Sequence, residues 1–143
     1  MATAASVTIE IAAKEGPLVN FIIVFIGAGI GGAIRHGVNS LTLRFLGPDF
    51  PWWTLIINVL GSLAMGLVAG YFALRGEASQ AWRLFLTTGV LGGFTTFSAF
   101  SLDTAMLYER GALAPAALYV LGSVVMSIAA VFLGLAVIRA NVG

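Results

Sequence analysis

The polar residues inside this chain's hydrophobic runs are hydrogen-bond donors, with no carboxylate among them. Thr54, Asn58 and Ser62 fall at i, i+4 and i+8, and Gly66 and Gly70 continue the line. Spacing of four keeps such residues on one helix face. Tyr119, Ser123 and Ser127 repeat the pattern further along. A third cluster runs Gly89-Val-Leu-Gly-Gly-Phe-Thr-Thr-Phe-Ser-Ala-Phe-Ser101, adding Thr95, Thr96, Ser98 and Ser101. Amides and hydroxyls without carboxylates suit an anion, whose lost water must be replaced by protein donors. Phe97 and Phe100 can add ring edges, which are electropositive. Plainer roles exist for each group. A membrane Asn can be interhelical glue, a hydroxyl can bond its own helix, and a Phe can simply pack.

Hydrophobic spans must position these donors. Of the 143 residues, 59% are hydrophobic and only 9% charged, where a globular domain carries about 25% charge. The chain is therefore an all-α integral membrane protein with no soluble domain of any size. A net charge of +1 without a basic patch argues against a nucleic-acid partner. No cysteine is present, which excludes disulfides and thiolate chemistry. The lone histidine, His36, cannot form a metal cluster. No general-base pair lies inside a span, so nothing supports an enzyme. No signal peptide is read in the N-terminal segment.

Four spans follow from the charge pattern. Residues 1–16 read as a polar N-terminal tail, and 17–143 as one transmembrane domain. The first span covers about Pro17 to Asn39, with Pro17 suited to a first helical turn. Its Gly27-x-Gly29-x-x-Gly32 mimics a dinucleotide fingerprint, but that motif needs a βαβ unit. Gly27-x-x-x-Gly31 reads better as a close-packing face. Arg35 ends the span, either as an interface anchor or as a positive residue at an anion vestibule. A polar connection is expected over 40–51. The second span lies in the 25 uncharged residues between Asp49 and Arg75. The third holds 19 uncharged residues between Arg83 and Asp103, and the fourth holds 28 between Arg110 and Arg139.

The third span is expected to break in mid-membrane at Gly92-Gly93. Backbone groups freed there are tolerated only within protein or beside a polar cavity. Orientation is undecided. Lys14, Arg75, Arg83 and Arg139 would face one side, and Arg35, Arg44 and Arg110 the other. Four against three is a weak bias, so an antiparallel, dual-topology homodimer in the cell membrane is expected.

Three segments together resemble the Fluc (CrcB-type) fluoride channels. They are Gly32-x-x-Arg35, Thr54-Leu-x-x-Asn58-x-x-Gly61-Ser62, and Gly92-Gly-Phe-Thr-Thr-Phe-Ser98-x-Phe100-Ser101. Tyr119, Ser123 and Ser127 fit that family's fourth helix, and the resemblance covers about residues 18–139. Ala99, His36 and Trp53 depart from its usual residues, and the N-terminal tail looks longer than typical. The resemblance implies a dimer with two fluoride pathways lined by Asn58, Phe97, Phe100, Ser123 and Ser127. It also implies a central Na+ held by the carbonyls of Gly92 and Thr95 from both subunits, and passive export of fluoride. Thr54, Ser62, Thr96 and Tyr119 join the pathway candidates as members of the donor set. Two other readings remain: a small dual-topology multidrug exporter, and a non-transporting membrane subunit. The exporter needs an acid deep in the first span, but Glu10 and Glu15 precede it. The subunit leaves the donor stripes unexplained.

Overall fold

The computed structural model describes residues 16–75 and 79–142, and the expected N-terminal tail lies almost wholly outside them. Helix α1 spans Pro17–Leu46 and α2 spans Trp52–Arg75. The third span is composite: α3 Gln80–Arg83, a π-helical stretch Leu84–Leu91, α4 Gly92–Phe94, then α5 Phe97–Glu109. Helix α6 spans Leu113–Val142. Four helical segments, Pro17–Leu46, Trp52–Leu74, Gln80–Glu109 and Leu113–Asn141, are long and apolar enough to cross a membrane.

Local chemistry sets the ends. Pro17 occupies the first turn of α1, where its missing N–H costs nothing. The helix runs on to Leu46, beyond the expected end near Asn39. Ser40 and Thr42 do not break it, because their hydroxyls bond back to the carbonyls of His36 (2.9 Å) and Val38 (2.7 Å). Gly47 stops it with φ of 74°, its N–H reaching the Leu43 carbonyl at 3.2 Å. Gly111, also at 74°, makes the tight turn between α5 and α6.

Helix α2 packs along α6, while α1 lies against the π-helical stretch and α4. Glycines allow both approaches. A Cβ on Gly27 would sit 2.8 Å from the Phe85 carbonyl oxygen and 2.9 Å from the Gly89 Cα. One on Gly31 would overlap the Val90 carbonyl, and one on Gly93 would sit 2.5 Å from the Ala28 carbonyl oxygen. Across the other seam, a Cβ on Gly134 would lie 2.6 Å from the Leu63 carbonyl oxygen. Without a hydrophobic drive between helices in lipid, such backbone contact supplies the dispersion that holds them.

The third span corrects one expectation. Gly92 and Gly93 remain helical, and the interruption falls at Thr95 (φ −81°, ψ 160°) and Thr96 (φ −156°, ψ 122°). Gly93 serves the approach of α1 instead of a bend, and the threonine hydroxyls stabilise the extended residues.

Gly31→Ala should lower the thermal unfolding midpoint in detergent, by overpacking worth roughly 1–3 kcal/mol. Gly37→Ala, whose added methyl meets nothing within 4 Å in this chain, should leave the midpoint at or above wild type. Equal midpoints for the two variants would refute the close-packed seam.

Candidate functional site

Everything near the interruption follows from two residues of extended backbone. Thr95 donates its N–H (3.0 Å) and its hydroxyl (2.9 Å) to the Leu91 carbonyl, closing the helix behind it. Thr96 caps the helix ahead, its hydroxyl accepting the Ala99 N–H at 3.2 Å. The same hydroxyl lies 3.2 Å from Ser98 Oγ.

Asn58 on α2 completes the turn. Its Nδ2 donates to the Thr96 carbonyl at 3.0 Å, and its Oδ1 accepts the Thr96 N–H at 2.9 Å. The carboxamide thus replaces a peptide partner for Thr96. One Nδ2 hydrogen remains for another acceptor. Gly61, one turn beyond Asn58, lets α2 approach this closely, because a Cβ there would overlap the Thr95 methyl.

A cavity of about 410 Å³ opens beside this junction. It is lined by Asn58, Ser62, Thr95, Thr96, Phe97, Phe100, Ser123 and Ser127, with Gly61, Met65, Val124, Ile128 and Val131. Seven of the nine candidate pathway residues therefore come together, from three of the four spans, with no carboxylate among them. Ser123 Oγ is buried there without a hydrogen-bond partner among the described residues. Ser101 and Thr104 instead bond back to the carbonyls of Phe97 and Phe100, at 3.0 and 2.8 Å. Phe97 is 79% exposed in the single chain. Its ring centroid lies 5.5 Å from that of Phe100, and Phe100 lies 5.3 Å from Tyr119.

Thr54 and Tyr119 do not line this cavity. Both are 1% exposed, and both turn their hydroxyls to Asp103 on α5. Thr54 Oγ1 donates to Asp103 Oδ2 at 2.6 Å and Tyr119 Oη to the same oxygen at 3.2 Å. Sequence reasoning missed this convergence. The available signal was that Asp103 closes the uncharged run of the third span, but the partners come from two other helices.

Arg35 belongs to a second cavity, of about 310 Å³, with His36, Asn39, Trp53, Thr54 and Ala99. Thr96 lines both cavities and so stands between them. Gly92 lies in the helical turn before the interruption and Thr95 is its first extended residue, whose carbonyl accepts from Arg35 Nη1 at 3.5 Å.

The family model for CrcB-like protein, Camphor Resistance (CrcB), matches residues 22–135. The chain is 65% identical over 122 residues to the fluoride-specific ion channel FluC of Methylobacterium nodulans, covering 85% of this chain and 98% of that one. It is 62% identical over 120 residues to FluC of Rhodopseudomonas palustris, covering 84% and 97%. FluC 2 of Nitrobacter hamburgensis is 58% identical over 120 residues, with the same coverage. The resemblance carried by the second- and third-span motifs is thereby borne out. With both matches extending across all four spans, this multi-pass membrane protein belongs to the CrcB-like family.

Proposed function

We propose that this protein is a fluoride-specific, passive ion channel of the cell membrane and not an enzyme. The carrying observation is the 410 Å³ cavity, where the Asn58 amide and the hydroxyls of Ser62, Thr96, Ser123 and Ser127 meet without a carboxylate. A small anion gives up strongly bound water, and only converging donors can replace it. The unpartnered Ser123 hydroxyl and the second Asn58 Nδ2 hydrogen are donors of this kind. The cavity also borders the cap and first residue of α5, where helix N–H groups favour negative charge. Asp103 lies outside the lining, held by the Thr54 and Tyr119 hydroxyls, so no fixed negative charge faces the anion there.

The exposed Phe97 beside this cavity supports a dimer in which a second, antiparallel copy closes each of two pathways. Phe97 and Phe100 would then present ring edges to the anion. The interruption at Thr95–Thr96 would lie in mid-membrane, inside the protein where freed polar groups are tolerated.

The residues present also fit a structural Na+. Thr96 gives its N–H to Asn58 and not to the Gly92 carbonyl four residues back. The Gly92 oxygen is thereby released, as is that of Thr95, and a second copy would bring the same pair. Carbonyl oxygens are hard ligands suited to a hard cation, and a carbonyl has two lone pairs, so Thr95 can serve both Arg35 and an ion. When bound, such an ion would offset the released carbonyl charge and join the subunits.

Four outcomes test this. Wild-type protein in liposomes should release fluoride, read by an ion electrode, without a proton gradient. Asn58→Asp, which sets oxygen against the Thr96 carbonyl and adds a charge, should reduce that release about hundredfold or more; near-native release would remove Asn58 from the pathway. Phe97→Ile and Phe100→Ile keep much of the volume but lose the ring edge. Each should slow release about tenfold with dimers intact by crosslinking, and unchanged release in both would leave the rings as packing alone. A Gln80→Cys label, on a chain with no native cysteine, should react from both faces of the cell membrane. Reaction from one face only would refute the antiparallel arrangement.

A further inference from the structure

We propose that Arg35 is a positioning residue that fixes the interrupted third span, and through it the fluoride selectivity of the channel. Resting on the fluoride-channel reading, this assigns Arg35 a task that neither a surface anchor nor a mouth charge would perform.

Helix α1 continues to Leu46, which leaves Arg35 roughly 16 Å of helix short of that end, at 1.5 Å per residue. An interfacial anchor belongs nearer the end of its span. Arg35 is half-buried, and its Nη1 reaches the Thr95 carbonyl, 60 residues away, at 3.5 Å. The cavity that it lines contains no carboxylate, so a backbone dipole is what it faces.

That carbonyl has lost its ordinary partner. In an unbroken helix the Ala99 N–H would donate to it, but Ala99 donates to the Thr96 hydroxyl. The two extended residues are therefore held by one side chain each: Asn58 takes both backbone groups of Thr96, and Arg35 takes the oxygen of Thr95. Arg35 does not itself line the 410 Å³ cavity, whereas Thr95 and Thr96 do. Its effect on the anion thus passes through the backbone whose peptide planes it orients. The guanidinium is a rigid planar fork, while a lysine offers a compact charge on a shorter reach. A strut at this distance distinguishes the two, and a diffuse field at a channel mouth does not.

The experiment compares full-length wild type, Arg35→Lys and Arg35→Gln in planar bilayers under a fluoride/chloride gradient, at low and high ionic strength. Reversal potential reports selectivity independently of how many channels fold. Both variants should lose about tenfold or more in fluoride-over-chloride selectivity, on the scale of one charged hydrogen bond, and added salt should not restore it. Should Arg35→Lys fail to fold, Arg35→Gln carries the same test, and wild-type selectivity in it overturns the proposal. Wild-type selectivity in Arg35→Lys overturns the proposal. So does a fall in conductance alone that recovers with salt, which marks a mouth charge. A wild-type protein without fluoride current would instead refute the channel reading itself.

Discussion

Thr95 and Thr96 leave the helical ladder inside an otherwise helical span, so their peptide groups need partners from elsewhere. An unpaired amide in an apolar environment costs several kcal/mol, on the order of 2–7 depending on the reference state. The Asn58 carboxamide answers this because it is a peptide group without a chain: one donor and one acceptor at the spacing Thr96 requires. Ser or Thr in its place would lack the reciprocal geometry, and Asp would lack the donor. The remaining architecture brings that amide and the interruption together. Gly61 removes the side chain that would separate α2 from Thr95, and Gly31 and Gly93 draw α1 onto the helix just before the interruption.

Packing between helices is correspondingly thin and backbone-based. The buried apolar side chains among the described residues are few, namely Ile57, Leu91, Leu107, Ala116, Tyr119 and Ala130. Large apolar side chains such as Phe25, Phe45, Leu118 and Phe132 point outward. In water that surface would drive aggregation; in a bilayer it meets its solvent. Energy that a soluble core draws from burial must come here from close contact and satisfied polar groups. For that reason the seams use glycine and the polar junction keeps its geometry.

Periodicity and charge spacing made much of this legible. The four spans, the Gly27/Gly31 face and the gathering of Asn58, Ser62, Ser123 and Ser127 on inward faces all follow from residues three or four apart. What stayed hidden depends on contacts between helices. The paired glycines suggested the bend, yet both stay helical, Gly93 facing Ala28 across a seam, and the bend falls at residues with hydroxyls to stabilise it. Thr54 and Tyr119 carry the right spacing for the donor stripes, but a carboxylate on a third helix takes both hydroxyls. Nor does spacing reveal that Ser40 and Thr42 leave α1 unbroken, since that depends on where each hydroxyl turns.

In the proposed channel, Asn58 would join stability and conduction in one side chain. Two of its hydrogen-bonding sites are taken by Thr96, Oδ1 and one Nδ2 hydrogen, while the residue also lines the cavity. An amide fixed at two points cannot rotate to follow a passing ion, so its remaining donor would be held in place before the ion of the proposed pathway arrives. Preorganised donors of this kind favour an anion small enough to approach closely, because Coulomb energy falls with distance and a larger ion gains less from the same fixed dipole. The rings of Phe97 and Phe100, 5.5 Å apart and tilted by 42°, border the same space without offering an acceptor. On the proposed reading, selectivity would follow from the rigidity of the junction, and the side chains that hold Thr95 and Thr96 would contribute to it without all of them touching the ion.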